Sequence, residues 1–225
     1  ERGVAWYAKG QNITFEDCHF EWYKDNLIFQ APKEGDLRNL RLYRLIVNNA
    51  WVTKSEGHAQ GLFVKNVHDA EIVESTFDHN GWRPNTTSDK TKFNHNLYVQ
   101  KDTKRINIRR CIVTRGSHNG IQLRGGGIIE DSLIAYNPYG AFVAEEKSAV
   151  RRNVVLNGVD MTGSYPLGIG IKVLPCVQAD VEDNIIANKQ ATAGWTGGIE
   201  IGWRDDIIDP PGSFNVAIRR NIIVN

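Results

Sequence analysis

The stretch Ile106-Asn107-Ile108-Arg109-Arg110-Cys111-Ile112-Val113 decides the fold, because its pattern returns along the whole chain. It predicts two short strands separated by a tight bend at Cys111. A turn follows, and a third strand opens with Gly120-Ile121-Gln122-Leu123. Repeats of this kind are the signature of a solenoid, in which each unit packs against its neighbours.

The bend position recurs eight times and holds small, apolar or amide side chains. The bend residues are Cys18, Leu45, Ser75, Cys111, Ser132, Asn153, Asn184 and Asn221. Successive bends are 27, 30, 36, 21, 21, 31 and 37 residues apart, which indicates a basic coil of 21 residues with insertions in some turns. A side chain such as Asn at this position can hydrogen-bond the backbone of the neighbouring coils and satisfy groups that the corner takes out of the ladders.

A second recurring segment follows each of the first seven bends and opens with Gly or Asn. Its copies are 26–29, 61–64, 96–99, 120–123, 140–143, 170–173 and 198–201. The alternation of a strand places the first and third apolar residues inside and the middle residue outside. Helical periodicity does not occur anywhere in the sequence, so we expect an all-β protein.

Three short strands per coil with a recurring small or Asn bend residue resemble the right-handed parallel β-helix of the pectate-lyase-like superfamily, the polysaccharide lyase and epimerase type. The resemblance implies one single-stranded β-helix domain over residues 1–225, with about eight coils and three sheets. It also implies that the Gly-Ile-x-Ile strand lies in the sheet that usually carries the active site. A leucine-rich repeat is the rival, but it needs a denser leucine pattern. Both ends stop inside the repeat, so we expect a truncated chain, or caps or further domains of a longer chain.

Composition excludes several classes. The chain has 225 residues, 24% of them charged, and a net charge of +1, which argues against nucleic acid as a partner. No apolar run is long enough to span a membrane, so we expect no membrane partner. Three cysteines without metal-like spacing leave the compartment open, and an extracellular or periplasmic location is the expectation for a polysaccharide-active β-helix.

Four insertions indicate where function lies, because loops on a rigid scaffold commonly carry binding groups. The insertions are 80–93, 160–167, 190–195 and 203–215. They would wall a groove floored by the outward residues of the Gly-Ile-x-Ile strands. Those floor residues are Phe63, Tyr98, Gln122, Phe142, Lys172 and Glu200, with Lys65, Gln100 and Arg124 at the next outward position. Aromatic, amide and charged groups in a line suit a polysaccharide or oligosaccharide.

Three histidines mark one part of this groove. His58, His95 and His118 precede the strands of three consecutive coils, and the spacing of stacked strands would bring their imidazoles within about 10 Å of one another. Polar residues surround them in the sequence. These are Asn94, Asn96, Tyr98, Gln100, Lys101, Asn119 and Arg124.

This constellation suits β-elimination in a uronic-acid glycan, in which a cation neutralises the carboxylate, a base removes the adjacent proton and an acid assists the leaving oxygen. We predict that Arg124 or Lys65 neutralises, His95 is the base and Tyr98 is the acid or second base. A C5 epimerase would use the same groups. The predicted catalytic residues are His95, Tyr98, Arg124 and His118, and the predicted substrate-binding residues are Lys65, Gln100, Lys101, Asn119, Gln122, Lys172, Glu200 and Trp82.

No cofactor is certain from the sequence. Ca²⁺ stays a candidate, although the carboxylates nearest to His95 in the sequence are only Asp78, Asp89 and Asp102. Three histidines could also bind Zn²⁺, but the sequence does not supply the geometry. We therefore predict no metal ligands.

Two other functions remain open. A glycoside hydrolase needs two carboxylates, for which Glu200, Asp205 and Asp206 are candidates, with Glu145 and Glu146 two coils earlier. Arg204-Asp205-Asp206 faintly resembles the Asp pair of polygalacturonases, but the Gly-His-Gly and Arg-Ile-Lys motifs do not follow it. A non-catalytic glycan-binding or structural β-helix is the third candidate, so the sequence favours an enzyme without establishing one.

Overall fold

The computed structural model describes residues 1–53, 57–86, 88, 90–159, 168–189, 196–202 and 214–224. These residues form 22 β-strands and no helix. Consequently, no helix within them is long and apolar enough to cross a membrane. The strands form three hydrogen-bonded ladders, named here first, second and third in the order in which the chain enters them. All strand pairs in these ladders are parallel.

Each ladder takes one strand from each turn of the chain. The first ladder contains β1 (Arg2–Trp6), β4 (Asp25–Gln30), β7 (Gln60–Lys65), β10 (His95–Val99), β13 (Asn119–Leu123), β16 (Tyr139–Arg151), β18 (Ile169–Glu182) and β20 (Gly197–Ile201). The second contains β2 (Gly10–Glu16), β5 (Leu37–Tyr43), β8 (Val67–Val73), β11 (Lys104–Arg109), β14 (Gly127–Glu130), the later parts of β16 and β18, and β21 (Asn215–Arg219). The third contains β3 (His19–Glu21), β6 (Ile46–Asn48), β9 (Thr76–Asp78), β12 (Ile112–Thr114), β15 (Leu133–Ala135), β17 (Val154–Gly158), β19 (Ile185–Lys189) and β22 (Ile222–Val224).

The architecture is a parallel β-helix, as the repeat predicts. Strands β16 and β18 run without a break from the first ladder into the second, and this joins the two ladders into one 14-stranded sheet. The third ladder is a separate 8-stranded sheet. The sequence predicts three sheets, and the described strands form three ladders, two of which are continuous.

The core is a column of inward side chains that follows the axis of the coil. Leu62, Leu97 and Ile121 are register partners in the first ladder and are fully buried. Phe77 and Val113 are register partners in the third ladder and are also fully buried. Because strand side chains alternate, burial of these residues directs the intervening side chains of the first ladder outward.

The bend residues form the predicted hydrogen-bonded stack between coils. The backbone N–H of Ser132 donates to Asn153 Oδ1 at 3.1 Å. Asn153 in turn donates its backbone N–H and its Nδ2 to Asn184 Oδ1, both at 3.0 Å, and Asn184 does the same to Asn221 at 2.9 Å. These bonds satisfy buried backbone groups at a corner that lacks ladder partners.

A column of alternating charge lies beside the bends, and the sequence analysis did not predict it. The residue before each bend has a positive φ between 50° and 57°. These residues are Asp17, Arg44, Glu74, Arg110, Asp131, Arg152, Asp183 and Arg220. Acidic and basic side chains alternate, and each Arg bonds the acidic residue of the preceding coil, as Arg152 Nε does to Asp131 Oδ1 at 2.8 Å.

Candidate functional site

The outward side chains of the first ladder form one row across the coils. The register joins Ile28, Phe63, Tyr98, Gln122, Phe142, Lys172 and Glu200. Six of these seven are the floor residues that the sequence predicts, from Phe63 onward. The row exists because each Gly-led or Asn-led segment presents its middle residue to the same side of the sheet.

A groove with a volume of about 880 Å³ lies over this row. Eight of the predicted site residues line it, namely His95, His118, Tyr98, Arg124, Gln100, Asn119, Gln122 and Lys172. Glu200 reaches the groove indirectly, because its Oε1 lies 2.7 Å from Lys172 Nζ. The structure therefore brings most of the predicted residues into one depression.

Besides Glu200, three predicted residues lie outside the described lining of the groove. Trp82 donates its indole N–H to the carbonyl of Arg115 at 2.8 Å, and its ring packs edge-on against His79 at 4.6 Å, so it holds its own loop to the scaffold. Lys65 ends β7, and Lys101 lies on an exposed turn.

Part of the predicted site lies outside the described residues. The hydrolase candidates Asp205 and Asp206, the segments 160–167 and 190–195, and Asp89 are in this part of the chain. Insertion 80–93 is described in part, and Phe93 with its neighbour Lys92 forms a wall of the groove.

His95 is fixed at the start of β10 by a glutamine that the sequence analysis missed. Gln60 Oε1 accepts the backbone N–H of His95 at 2.8 Å, and Gln60 Nε2 donates to the carbonyl of Phe93 at 2.8 Å. Asp25 Oδ1 accepts the backbone N–H of Gln60 at 3.1 Å. Gln60 directly precedes the predicted segment 61–64, and no sequence signal distinguishes it from a turn residue.

The protonation of His95 follows from its surroundings. Burial lowers its pKa well below 6.5, and neighbouring His118 and His58 lower it further, so the imidazole is neutral at physiological pH. Its Nδ1 accepts the backbone N–H of Asn119 at 3.3 Å. A neutral imidazole that accepts at Nδ1 carries its proton on Nε2. His95 is therefore a hydrogen-bond donor in this state, whereas the sequence analysis predicts a base.

Tyr98 lies between two aromatic neighbours and a cation. Its ring centroid is 5.3 Å from that of Phe63 and 5.3 Å from that of His95. Arg124 Nη1 donates to Tyr98 Oη at 3.4 Å. The same guanidinium donates its Nε to Glu145 Oε1 at 2.7 Å and is held by a further contact from Nη2 to that oxygen. Because Tyr98 Oη accepts this bond, its own proton is free for another partner.

His118 lies one coil further, against Tyr139. The His95 and His118 rings are 5.7 Å apart, and His118 and Tyr139 are 4.7 Å apart. Burial, together with the smaller effect of the charges of Lys172 and Lys92, lowers the pKa of His118 to about 3. Its Nδ1 is buried without a hydrogen-bond partner among the described residues.

The sequence analysis missed Tyr139 as a site residue and named Glu145 only as a hydrolase candidate. Tyr139 directly precedes segment 140–143 and lines the groove. Burial raises its pKa above 10.0. Glu145 follows an irregularity in the register of β16 after Val143, and its positive φ of 70° turns its carboxylate toward Arg124. A register irregularity of this kind has no clear signal in the sequence.

The described lining of the groove has more cations than carboxylates. Its cationic side chains are Arg2, Lys24, Lys92, Arg124 and Lys172, and its carboxylate is Asp25. Glu145 and Glu200 pair with two of the cations. Arg2 Nε lies 4.0 Å from Asp25 Oδ2, and burial raises the pKa of this carboxyl group. The electrostatics of the groove therefore favour an anionic ligand.

The described residues contain no group of three or more His, Cys, Asp or Glu that could hold a metal ion. Asp78, one of the carboxylates near His95 in the sequence, does not join such a group. Asp78 bonds Arg115 and Thr114 instead. The described donor set therefore does not fit Ca²⁺, which prefers several oxygen ligands.

Comparisons with known proteins test the family to which the chain belongs. No curated protein and no solved structure gives a significant match to the chain. The family model described as a right handed beta helix region matches residues 2–158, more than half of the 225 residues. The protein therefore belongs to the right-handed β-helix family.

Proposed function

We propose that the protein binds a polysaccharide in the groove and cleaves a uronic-acid-containing glycan by β-elimination. One observation carries the proposal: Tyr98, whose oxygen accepts a hydrogen bond from Arg124, lies edge-on against neutral His95 in a groove rich in cations. A C5 epimerisation would use the same groups and return the proton to the opposite face of the sugar. A polymeric substrate would also place the protein outside the cell or in the periplasm.

The composition of the groove supports a sugar chain as ligand. Phe63, Tyr98 and Phe142 present aromatic surface along the floor, which suits the apolar faces of sugar rings. Gln100 and Gln122 supply amides for hydroxyl groups. The cationic excess supports an acidic sugar, because guanidinium and ammonium groups form strong hydrogen bonds to carboxylates.

The uronate carboxylate would be held by neutral donors at the centre of the groove. His95 offers Nε2–H. Gln122 Oε1 accepts Asn119 Nδ2 at 2.7 Å, so the Gln122 amide N–H groups are left to donate. Hydrogen bonds to both carboxylate oxygens would stabilise the enolate that forms when the neighbouring proton leaves. This assigns His95 to charge stabilisation instead of proton removal.

Tyr98 would move the proton. In the phenolate form it takes the proton from C5, the C4–O bond breaks, and the electron pair of the C–H bond becomes the new C4=C5 double bond. The phenol then gives the proton to the departing glycosidic oxygen, which restores the phenolate. The Arg124 guanidinium is positioned to stabilise negative charge on the tyrosine oxygen throughout this transfer.

The test is incubation with a panel of acidic and neutral polysaccharides, followed by measurement of ultraviolet absorbance and reducing ends. We expect unsaturated products from a polyuronate. Tyr98→Phe should lower kcat by a factor of about 10² to 10⁴ and leave KM nearly unchanged, because general acid–base groups contribute about that much. Tyr136→Phe, at an exposed tyrosine outside the described lining of the groove, is the matched control and should retain activity.

Other outcomes would favour the alternatives. Reducing ends without unsaturated product would indicate a hydrolase, and binding without either signal would indicate a glycan-binding β-helix. Full activity of Tyr98→Phe on a polyuronate would contradict the assigned proton transfer while leaving the lyase activity in place.

A further inference from the structure

The groove contains two copies of one side-chain arrangement. In the first, Tyr98 Oη accepts a bond from Arg124, and Arg124 pairs with Glu145. In the second, Tyr139 Oη accepts a bond from Lys172 Nζ at 3.4 Å, and Lys172 pairs with Glu200 at 2.7 Å. Each tyrosine ring also packs against a histidine, His95 or His118. We name the group of Tyr98, Arg124 and Glu145 the first station and the group of Tyr139, Lys172 and Glu200 the second station.

The second station lies at a fixed offset from the first. Tyr98 and Glu145 belong to β10 and β16, and Arg124 directly follows β13. Their counterparts belong to β16, β18 and β20. Each counterpart is therefore two strands further along the first ladder, or about 10 Å along the axis. Tyr139 also lies three residues before Phe142, the residue of β16 in the row of Tyr98, which adds about 10 Å along the strand. The offset is longer than one sugar ring.

The second station has the chemistry of a sugar-binding subsite. Lys172 supplies donors, while Glu200 and Tyr139 supply acceptors within bonding distance of the same ammonium, a set that suits the hydroxyl and carboxylate groups of one sugar. Phe142 and Leu174 form a buried apolar cluster beside it and line the groove.

We infer that the second station binds a sugar of the same glycan that reacts at Tyr98, two or more residues away along the chain. The inference rests on the proposed function for the reaction at Tyr98, but the binding of a sugar at the second station is a separate claim. The substrate is an acidic oligosaccharide long enough to reach both stations, and chains that reach one station bind more weakly. Lys172 and Tyr139 then determine the length of chain that the protein prefers.

The experiment measures affinity by calorimetry for oligosaccharides of increasing length. The probes are the di-, tetra- and hexasaccharides of polymannuronate, polyguluronate and polygalacturonate, and the background is Tyr98→Phe, to suppress cleavage. Lys172→Met and Tyr139→Phe are the test variants. Arg219→Met, which removes an ion pair with Glu182 on the second ladder, is the control for loss of a cation.

Lys172→Met should weaken binding of the hexasaccharide by about 10-fold to 100-fold, the equivalent of one charge-assisted hydrogen bond. Tyr139→Phe should weaken it in the same direction, without loss of a charge. The affinity for the disaccharide should fall by less than about twofold, because the first station still binds it. Arg219→Met should change neither the hexasaccharide affinity nor the disaccharide affinity.

The outcomes separate this inference from the proposed function. Equal hexasaccharide affinity in Lys172→Met, Tyr139→Phe and their parent would overturn the second station, even if the wild type cleaves the polymer. Length-dependent binding that needs Lys172, with no cleavage by the wild type, would support the second station and overturn the lyase. Absence of both binding and cleavage with every probe would overturn both.

Discussion

Replacement of His118 by glutamine should make the protein less sensitive to acid. Burial lowers the pKa of His118 from 6.5 to about 3, and only 9% of the residue is exposed. In the unfolded chain the imidazole has its ordinary pKa of about 6.5. Between these two values the unfolded state binds a proton that the folded state does not bind. The free energy of unfolding therefore falls as the pH drops below about 6.5.

The size of the effect follows from the same two pKa values. A pH of about 5 lies about 1.5 units below the pKa of the unfolded state, and each unit corresponds to about 1.36 kcal/mol. His118 should therefore lower the free energy of unfolding by about 2 kcal/mol at pH 5 relative to pH 7.5, where both states are neutral. His95, whose pKa burial also lowers, remains in the variant, so part of the decrease remains.

Urea unfolding at both pH values, followed by circular dichroism, measures this difference. The decrease between the higher and the lower pH should be about 2 kcal/mol smaller in H118Q than in the wild type. Gln122→Leu changes the same groove without removing a titratable group, so its decrease should equal that of the wild type. An equal decrease in H118Q and the wild type would refute the argument from burial.

Three further results follow from the structure. Gln60→Leu removes the acceptor of the His95 backbone N–H; kcat on a polyuronate should fall by roughly tenfold or more, and unchanged kcat would contradict a positioning role. Asn153→Ala breaks the bend stack and should lower the free energy of unfolding by about 1–3 kcal/mol, measured in urea against Asn107→Ala on the outer face of the second ladder. Because the pKa values of His95 and His118 are lowered, a profile of kcat/KM from pH 5.5 to 8 should show no step near 6.5 from either residue. A step near pH 6.5 that disappears in His95→Gln would contradict the neutral state of His95.

The fold was predictable because its two determinants repeat. Alternation in the Gly-led segments separates inward from outward residues, and the bend residues mark each corner. The residues before the bends were harder to interpret, because Arg44, Arg110 and Arg152 have the sequence appearance of ordinary surface charges. A positive φ is uncommon for arginine, and only the stacked coils show that each one pairs with an acidic residue of the preceding coil.

The site was predictable to the extent that it follows the register. Tyr98, Gln122 and Lys172 occupy outward strand positions, so alternation alone places them on the floor. Gln60 and Glu145 could not be identified in this way. Gln60 acts through its side-chain amide at the start of a strand, and Glu145 is directed to the groove by a local irregularity in β16.

The role of His95 shows what residue type alone does not determine. Coils stack at about 4.8 Å, so an imidazole at the start of one groove strand faces the imidazole of the next coil, 5.7 Å away. Protonation of either ring would place a buried positive charge beside another ring and near the cations of the groove, and burial therefore keeps both neutral. A neutral, poorly basic imidazole is a weak proton acceptor, but it is an effective hydrogen-bond donor. The same stacking places Arg124 beside Tyr98, and this favours the phenol as the group that transfers the proton.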